Sequence, residues 1–388
     1  MNFLLSAGEA SGDTYGAQLA EALRHHAPAA TFFGMGGEKM QTAGCDLLVH
    51  ANEVAVVGLA EVVTHLPAIR RRFKHLVAEA ARRKPDAAVL IDFPDFNLRL
   101  ARELHRLGIP VFYFVSPQIW AWRTGRVKQI QKYVSKMIVI FPFEQEFYRR
   151  HGVEVSYVGH PLAYAAAPQI SREEFAAKYQ LDPLKQWIAL LPGSRRKELA
   201  LNIEPLFFAA EMLQDQGGDY QFVLPVASTL NKDWLAIKLH NLWASPIQVT
   251  LTEDARATMM HARASVVASG TATVEAALSG TPFVVVYRLS PLTWILGRRL
   301  VRLDTFAMPN LIAGRKIVTE LIQKDFTAVN VVRELNAIIP EGPARQQMQA
   351  ALKMVQERLH DGKDAEPPAL RASREILRFL GNTSALSR

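Results

Sequence analysis

The sequence contains 388 residues, of which 49% are hydrophobic and 21% charged, and this composition argues against a disordered or fibrous chain. At this length we expect two domains, because a single hydrophobic core rarely grows beyond about 250–300 residues. One cysteine, Cys45, leaves no partner for an intramolecular disulfide bond or a cysteine-rich zinc site, and it fits a reducing cytoplasm.

The net charge of +8 at pH 7 predicts an anionic partner, for which nucleic acid, an anionic membrane and a phosphorylated substrate are the alternatives. The first residues show no basic segment followed by a long apolar stretch, so we expect no signal peptide. We also find no uninterrupted apolar run long enough for a bilayer-spanning helix. These features favour a protein that works in the cytoplasm.

Strands and helices alternate along the chain, which is typical of parallel α/β sheets. A linker rich in alanine and proline, at 161–168, separates two such series. The strands predicted before the linker are Phe3–Ser6, Thr31–Gly34, Ala87–Ile91, Val111–Val115, Met137–Ile140 and Val155–Val158. The strands predicted after it are Trp187–Leu191, Gln221–Pro225, Val249–Leu251, Ala264–Ala268 and Pro282–Tyr287. The sequence therefore predicts two doubly wound, Rossmann-like α/β domains, 1–163 and 164–345, and a helical tail, 346–388, that packs across the domains or onto a partner subunit.

A turn with glycine, serine and acidic residues connects the first strand to a helix predicted at Thr14–His25. The turn lacks the lysine of a phosphate-binding P-loop and the glycine spacing of a dinucleotide site, which argues against an ATPase or a dehydrogenase. Backbone N–H groups at a helix start attract anionic or polar ligands, although a plain tight turn is the alternative. The residues interpreted as substrate contacts are Gly8, Glu9, Ser11, Gly12 and Asp13.

Three further segments of the first domain carry candidate site residues. Pro94 stops regular strand pairing, and Asp95 is placed either to act as a general base or to cap the next helix. Gln118 and Trp120 lie in a loop rich in tryptophan, whose rings either face a sugar or anchor the core. His160, beside the linker, is either a substrate contact or a structural residue.

The first loop of the second domain combines Gly193, Ser194 and Arg195. Glycine lets the backbone approach a ligand, serine supplies a hydroxyl donor, and arginine offers a bidentate fork to phosphate oxygens. The loop follows a strand, where α/β sheets bind their ligands. We therefore expect it to bind phosphate, with a solvated basic turn as the alternative.

A second helix start in this domain follows the strand Ala264–Ala268 and combines small residues with hydroxyl groups. Such a start suits a diphosphate, and a Ser/Thr-capped core helix is the alternative. Glu275, about one turn inside the helix, is placed to accept hydrogen bonds from ribose hydroxyls. Asn310 either contacts the donor or forms an Asx-turn. The residues predicted to bind the diphosphate are Ser269, Gly270, Thr271, Ala272 and Thr273.

An apolar segment at 54–76 also contains four cations within 70–74, and a similar apolar and basic patch spans 294–300. This combination is typical of a helix that lies on an anionic membrane, with a core helix that has a basic solvent face as the alternative. The residues expected to contact acyl chains are Val56, Val57, Leu59, Val62, Val63 and Leu66. We find no Asp-x-Asp pair and no histidine–carboxylate cluster at metal-ligand spacing, so we expect neither a catalytic metal nor a cofactor.

Seven short motifs are distributed over nearly the whole chain: GEASGD at 8–13, GMGG at 34–37, PDFN at 94–97, SPQIWAW at 116–122, GHP at 159–161, LPGSR at 191–195 and SGTAT at 269–273. In order and spacing they resemble the lipid-A-disaccharide synthase family. The resemblance implies a GT-B fold, in which two Rossmann-like domains border an interdomain cleft. The first domain would take the acceptor and the second the nucleotide-sugar.

The same resemblance implies the reaction. UDP-2,3-diacylglucosamine and 2,3-diacylglucosamine 1-phosphate would give a β-1,6-linked disaccharide phosphate and UDP, in an inverting transfer. It also implies a peripheral location on the cytoplasmic face of the inner membrane of Gram-negative bacteria. A homodimer with exchanged C-terminal segments is implied as well.

These expectations combine into a mechanistic hypothesis. Asp95 is the general base, and Asp86 is a supporting carboxylate at the same ligand-facing edge. Arg195, Ser194 and the N–H groups at 270–273 stabilise the departing diphosphate in place of a metal. A nucleotide-sugar 2-epimerase or a peptidoglycan-type glycosyltransferase is the alternative enzyme. A non-catalytic protein that binds nucleic acid or a membrane is the alternative of another class, but the cations flank ligand loops instead of forming an aromatic-interleaved stripe, so we expect no nucleic acid partner.

Overall fold

The computed structural model describes residues 1–54, 59–122, 124–227, 230–231, 233–235, 237, 247–289, 305–360 and 366–386. Within these ranges it leaves out the side chains of 59–65, 122, 124 and 382–386. The chain divides into two compact units, one comprising Met1–Tyr164 with Leu359–Arg388 and the other comprising Ala165–Arg358.

The first unit is built around a seven-stranded parallel sheet in the order β3-β2-β1-β4-β5-β6-β7. The sequence of β4, AAVLI, is buried along its whole length, as expected for a strand that helices cover on both faces. The strand order reverses between β1 and β4, and this reversal is the topological switch point of the sheet. The strands are β1 (Asn2–Ala7), β2 (Thr31–Gly36), β3 (Cys45–His50), β4 (Ala87–Ile91), β5 (Val111–Phe114), β6 (Lys136–Val139) and β7 (Val155–Tyr157).

Helices connect these strands. Three of them begin with a proline, Pro94, Pro142 and Pro161, a position where the missing backbone N–H costs no helical hydrogen bond. A short 3-10 turn, Thr124–Arg126, precedes the sixth helix. The helices are α1 (Ala10–His26), α2 (Glu38–Thr42), α3 (Leu59–Arg83), α4 (Pro94–Arg106), α5 (Ile119–Trp122), α6 (Val127–Tyr133), α7 (Pro142–Arg150) and α8 (Pro161–Tyr164).

The second unit repeats the same topology with six parallel strands in the order β10-β9-β8-β11-β12-β13, so that its switch point lies between β8 and β11. The strands are β8 (Gln186–Leu191), β9 (Tyr220–Pro225), β10 (Val249–Thr252), β11 (Ala264–Ala268), β12 (Phe283–Tyr287) and β13 (Glu320–Ile322). The described helices are α9 (Arg172–Tyr179), α10 (Arg196–Asp215), α11 (Ala255–His261), α12 (Ala272–Ser279), α13 (Met308–Ala313), α14 (Ala328–Ile338) and α15 (Pro343–Leu359).

The last helix, α16 (Pro368–Leu386), returns to the first unit and packs against α1. Its apolar face enters the core that covers one side of the first sheet, where Ile376 is fully buried. Polar contacts hold the same helix: Ser373 Oγ lies 2.9 Å from His26 Nδ1, and Lys136 Nζ donates to Glu375 Oε2 at 2.7 Å. The first unit is therefore completed by the end of the chain.

The predicted class of two doubly wound α/β sheets is confirmed. The sequence pattern did not predict β3 and β13, two of the four edge strands, because the first is only partly buried and the second has three residues. It also started α1 at Thr14, whereas the helix begins at Ala10. Glycine and aspartate are weak helix formers, but Gly12 and Asp13 are both buried there, and tertiary packing outweighs their propensity.

Candidate active site

Ligands of doubly wound sheets bind at the carboxyl ends of the strands that flank the switch point. In the first unit, β1 is followed by Gly8 and Glu9, and β4 is followed by the segment 92–95. In the second unit, β8 is followed by the segment 192–195, and β11 is followed by the segment 269–271. Four of the motifs predicted from the sequence therefore lie at the two switch points.

A buried amide joins the two strands at the switch point of the first unit. Asn97 accepts a hydrogen bond from the Ser6 hydroxyl at 2.7 Å, and both side chains are fully buried. The Asn97 amide nitrogen donates to the carbonyl oxygens of Ser6, Ile91 and Asp92, at 3.2, 3.2 and 2.8 Å. These bonds fix the ends of β1 and β4 against each other and therefore fix the segment that follows β4.

Asp92, which the sequence analysis did not select, has the most unusual environment in that segment. Asp92 and Phe93 both adopt the left-handed conformation, with φ of 45° and 49°. Burial, reinforced by the negative charge of Glu9, raises the pKa of the Asp92 carboxyl to about 6. A carboxyl group whose pKa approaches the working pH is suited to proton transfer. The backbone conformation that creates this environment leaves no trace in the sequence.

Asp95 lies in the first turn of α4 and is mostly exposed, with 73% of its side-chain surface accessible. It is not the N-cap, because that position is Phe93. Its carboxylate forms an ion pair with Arg126, which belongs to the 3-10 turn before α6. Arg126 is 31 residues away in the sequence, so its part in the site was not foreseen.

The expected position of Asp86 is wrong. This residue precedes β4 and therefore lies at the amino end of the strand, opposite to Asp92 and Asp95. Its carboxylate accepts a hydrogen bond from the backbone N–H of Asn2 at 2.7 Å. Asp86 joins the starts of β1 and β4 and is not part of the ligand-facing edge.

Some of the residues predicted to bind substrate in the turn after β1 are buried in the protein, and others are exposed. Gly8 is buried, and a Cβ atom there would lie 2.3 Å from the Phe93 ring. The Asp13 carboxylate accepts three backbone N–H bonds, from Gly37 at 2.7 Å, Lys39 at 3.0 Å and Met40 at 3.1 Å, which gives Asp13 a structural role instead of the expected substrate contact. Gly12 is also buried, whereas Glu9 and Ser11 are exposed at the sheet edge.

The loop after β5 presents Gln118 as an exposed side chain and Trp120 as a partly buried one. The indole Nε1 of Trp120 donates to Glu144 Oε1 at 3.2 Å. His160 is only 1% exposed, packs against the tilted ring of Phe141 with ring centres 4.8 Å apart, and has a pKa lowered to about 3 by burial. A neutral, enclosed imidazole favours the structural alternative for His160.

In the second unit, the loop after β8 leads directly into α10. Ser194 and Arg195 are exposed, and Gly193 has a positive φ of 125° that favours glycine. Glu198, in the first turn of α10, faces this loop: Arg195 Nη1 lies 3.3 Å from its Oε1, and the backbone N–H of Ser194 lies 3.4 Å from its Oε2. The N-terminal end of α10 therefore already holds a carboxylate.

The turn after β11 uses Gly270, at φ 151°, to enter α12. Thr271, the N-cap, is exposed, and Ser269 and Ala272 are partly buried. The buried Thr273 hydroxyl donates to the carbonyl of Gly270 at 2.7 Å, so this hydroxyl stabilises the turn and does not face a ligand. Burial raises the pKa of Glu275, while Arg256 opposes the shift.

Asn310 has a structural role instead of the expected donor contact. Its amide nitrogen donates to Val318 and to the Glu320 carboxylate, at 3.0 and 2.7 Å. Its amide oxygen accepts the backbone N–H groups of Ile317 and Val318, at 2.7 and 3.0 Å. Because the fully buried amide makes all four of its hydrogen bonds within the chain, it has none left for a ligand.

The residues expected to touch a membrane fall largely beyond what the structure describes. Val56 and Val57 lie outside the described residues, as do the side chains of Leu59, Val62 and Val63. Leu66 is described, and 48% of it is exposed. Across the part of the chain that is described, each helix is too short or too polar to cross a bilayer.

Solved structures share this arrangement of two units at low sequence identity. The glycosyltransferase of kitacinnamycin matches with a TM-score of 0.65 at 14% identity, over 97% of this chain and 98% of that one. A UDP-GlcNAc 2-epimerase from Neisseria meningitidis matches with a TM-score of 0.58 at 13% identity, over 98% of this chain and 100% of that one. These likenesses confirm the GT-B class of fold and do not choose between transferase and epimerase.

Sequence relatives distinguish the transferase from the epimerase. The family model described as Lipid-A-disaccharide synthetase matches residues 3–370. The lipid-A-disaccharide synthase of Koribacter versatilis is 55% identical over 97% of this chain and 98% of its own length. Those of Acidobacterium capsulatum and Geobacter sulfurreducens are 50% and 43% identical, over 100% and 97% of this chain and 98% and 97% of their own lengths. The chain therefore belongs to the lipid-A-disaccharide synthase family of glycosyltransferases.

Proposed function

We propose that this enzyme transfers the 2,3-diacylglucosaminyl group of UDP-2,3-diacylglucosamine to 2,3-diacylglucosamine 1-phosphate. The products are a β-1,6-linked disaccharide phosphate and UDP, formed with inversion. Relatives that cover nearly the whole chain carry the name of this activity. The observation that carries the mechanism is that each switch point holds the groups that one half of such a transfer needs: carboxyl groups in the first unit, and a basic loop with a helix start in the second.

The acceptor hydroxyl needs a base, and two carboxyl groups of the first unit are candidates. Asp95 is exposed and paired with Arg126, an arrangement suited to orienting a polar substrate. Asp92 is held in a rare backbone conformation, with a pKa raised to about 6. A base that loses its proton near pH 6 is ionised at neutral pH, yet it accepts a proton more readily than an ordinary aspartate. We therefore assign the base to Asp92 and an orienting role to Asp95.

The leaving group is the UDP diphosphate, and the second unit supplies positive charge and hydrogen-bond donors for it. Arg195 and Ser194 lie at the start of α10, and the segment 270–273 forms the start of α12. Glu275, partly buried within α12, is assigned to the ribose hydroxyls. Because preorganised donors act where charge develops, loss of Arg195 should cost about 2.7–4 kcal/mol of transition-state stabilisation.

The bond changes balance without a further reactant. The acceptor hydroxyl oxygen forms a bond to the anomeric carbon of the donor while the bond between that carbon and the diphosphate oxygen breaks. The proton of the hydroxyl passes to Asp92, and the electron pair of the broken bond stays on UDP. In-line attack from the face opposite to the leaving group produces inversion.

The test is UDP release by the purified enzyme, with donor alone and with donor plus acceptor, in buffer without added metal. Three variants on either side of β4 separate the carboxylates: Asp92→Asn, Asp95→Asn and Asp86→Asn. We expect Asp92→Asn to lower kcat by about 10²–10⁴-fold, the usual range for losing a general base. Asp86→Asn, at the opposite end of β4, should retain turnover and serves as the matched control.

Either of two results would overturn the assignment. UDP release that does not depend on the acceptor would point to hydrolysis or to epimerase-like chemistry. Full loss in Asp95→Asn with normal turnover in Asp92→Asn would move the base to Asp95. Shortening the acyl chains of both substrates tests lipid specificity in the same assay.

The proposed location is the inner face of the inner membrane, with the segment 54–76 against anionic lipid. Leu66 is exposed on α3, on a helix that carries basic residues at 70–72. Sedimentation with vesicles that contain anionic lipid, compared with neutral vesicles, tests this contact. A homodimer with exchanged C-terminal segments is proposed on family resemblance, and light scattering of the full chain tests the dimer.

A further inference from the structure

A buried acid lies behind the loop that follows β5. Glu144, on α7, is 1% exposed, and its carboxyl group contacts two donors from different segments. Oε1 accepts the indole N–H of Trp120 at 3.2 Å, and Oε2 accepts the backbone N–H of Phe141 at 3.2 Å. The Trp120 ring also packs edge-on against Phe143, with ring centres 4.9 Å apart.

Helix capping alone does not explain why this acid is buried. Glu174 forms the same kind of capping box on α9, with Ser171 as N-cap, while its side chain stays exposed. The pKa of Glu174 is lowered by those bonds, whereas burial raises the pKa of Glu144 to about 8. An exposed glutamate provides a capping bond without the cost of desolvation. Unlike Glu174, Glu144 also contacts two side chains of the loop after β5, the indole of Trp120 and the hydroxyl of Ser116.

The surroundings of Glu144 connect it to the proposed base. The Ser116 hydroxyl, which lies 2.8 Å from the Tyr148 hydroxyl, is a further hydrogen-bonding neighbour of the Glu144 carboxyl. The negative charge of Asp92, at the end of β4, contributes to the raised pKa of Glu144, and Glu144 in turn contributes to the raised pKa of Tyr148, on α7 itself. Negative charge on Asp92 disfavours ionisation of Glu144, so a neutral Glu144 accompanies an ionised Asp92.

We propose that Glu144 is a positioning residue for the acceptor sugar: its hydrogen bond fixes the indole of Trp120, so that the loop after β5 offers a rigid aromatic surface beside the carboxyl edge of the first sheet. The proposal deepens the proposed function and rests on it, because it takes the acceptor to bind at the first unit. Glu144 acts through Trp120 and does not touch the reacting atoms. A flat aromatic ring presents an apolar surface of the kind that the C–H face of a sugar contacts.

The test compares Glu144→Gln, Glu144→Ala, Trp120→Phe and the double variant Glu144→Ala/Trp120→Phe. Glutamine keeps a carbonyl oxygen that accepts the indole N–H, so it should rescue most of what alanine loses. We expect Glu144→Ala to raise the KM for the acceptor about tenfold, at nearly unchanged KM for the donor. Glu146→Gln is the matched control, because Glu146 lies on the same helix with an exposed ion pair to Arg150.

Non-additivity distinguishes positioning from general damage. If Glu144 acts through Trp120, the double variant should lose little more acceptor affinity than Trp120→Phe alone. Independent, additive losses would overturn the proposal. So would equal increases in the KM values of donor and acceptor, since the donor is assigned to the other unit. An unchanged acceptor KM in Glu144→Ala would overturn it as well.

A fluorescence measurement remains readable even if Glu144→Ala does not fold or if the proposed transfer reaction is wrong. The emission of Trp120, obtained as the difference between wild type and Trp120→Phe, should change with a midpoint near pH 8 as Glu144 ionises. Glu144→Gln should abolish this titration. A Trp120 signal that titrates identically in wild type and Glu144→Gln would overturn the proposal. Absence of acceptor-dependent UDP release with an intact Glu144-dependent titration would overturn the proposed function instead.

Discussion

Asp92 and Phe93 occupy a backbone conformation that is costly for residues with a side chain. Left-handed non-glycine residues cost on the order of 1–3 kcal/mol each, and they persist where surrounding contacts enforce them. Asn97 provides that enforcement here, since its amide donates to the carbonyl of Asp92 at 2.8 Å. The carboxyl group of the same strained residue is desolvated, which raises its pKa.

The raised pKa of Asp92 should make the stability of the protein, as well as its activity, depend on pH. The folded carboxyl holds its proton up to about pH 6, whereas its ordinary pKa is 3.8. The folded state therefore binds more protons than the unfolded state between these values, and stability falls as pH rises through the window. Asp92→Asn removes this cost, and asparagine tolerates the left-handed conformation. We expect the variant to be more stable than wild type at pH 7, by up to about 3 kcal/mol, at about 1.4 kcal/mol per pKa unit.

Denaturant unfolding at pH 4 and pH 7 measures this difference. The gain in the free energy of unfolding should be present at pH 7 and largely vanish at pH 4, where the folded carboxyl is protonated and the unfolded one, with its pKa of 3.8, is about half protonated. A variant that loses turnover while it gains stability separates a catalytic role from structural damage. Equal stability of wild type and Asp92→Asn at both pH values contradicts the assigned environment.

The sequence pattern marked the segment that contains the proposed base but did not mark Asp92 itself. The motif at 94–97 led to Asp95, because the pattern marks a polar loop after a strand and contains no information about left-handed φ angles. The prediction for Asp86 was wrong because the length of β4 separates it from Asp92. Six residues along a strand span about 20 Å, so the two carboxylates lie at opposite edges of the sheet. The partner of Asp95, Arg126, required tertiary structure to be found.

At the scale of elements, the N-terminal end of α10 is notable because a carboxylate of the protein lies where an anionic ligand is proposed to bind. A helix N-terminus favours negative charge, and Glu198 supplies it from within the helix. The same carboxylate approaches Arg195 and the backbone N–H of Ser194, which are the groups assigned to the diphosphate. It also contributes to a raised pKa of Tyr287, at the end of β12, for which burial is the main cause. If UDP binds as proposed, its diphosphate competes with Glu198 for these groups.

Glu198→Gln should tighten UDP binding about two- to fivefold, because a partly exposed charge of this kind contributes up to about 1 kcal/mol. Calorimetric titration with UDP at low and at high salt measures the effect, which should shrink as salt screens the charge. Glu204→Gln is the control, since Glu204 is an exposed residue of the same helix. Weaker UDP binding by Glu198→Gln would mean that Glu198 orients Arg195 for the ligand.

Most interior strands were predictable because they are continuous apolar runs with burial on both faces, as in β4 and β11. Edge strands depend on pairing with a neighbour, and a half-buried stretch such as β3 has no run of its own to mark it. The structural roles of Asn310 and Asp13 were hidden for a similar reason. Each makes its hydrogen bonds to backbone groups that only the folded chain brings within reach.

The two units repeat one topology, and in each of them two of the seven motifs lie at the switch point. The two copies differ in how they are completed. The second unit is one continuous stretch of chain, whereas the first needs α16 from the far end of the sequence. Phe379 of α16 packs edge-on against Phe112 of β5, with ring centres 5.3 Å apart. Stability of the first unit should therefore depend on residues that are remote from it in sequence.

Ile376→Ala tests this dependence. The side chain is fully buried in the core between α16, α1 and the first sheet, so its truncation should cost about 2–5 kcal/mol. Hydrogen exchange should show lost protection in peptides from α1 and β1–β5, while β8–β12 keep theirs. UDP binding, assigned to the second unit, should persist. Arg378→Ala is the control, because Arg378 is 63% exposed on the same helix and its ion pair contributes little. Uniform loss of protection in both sheets would mean that the units unfold together, and the far end of the chain would then support the whole molecule.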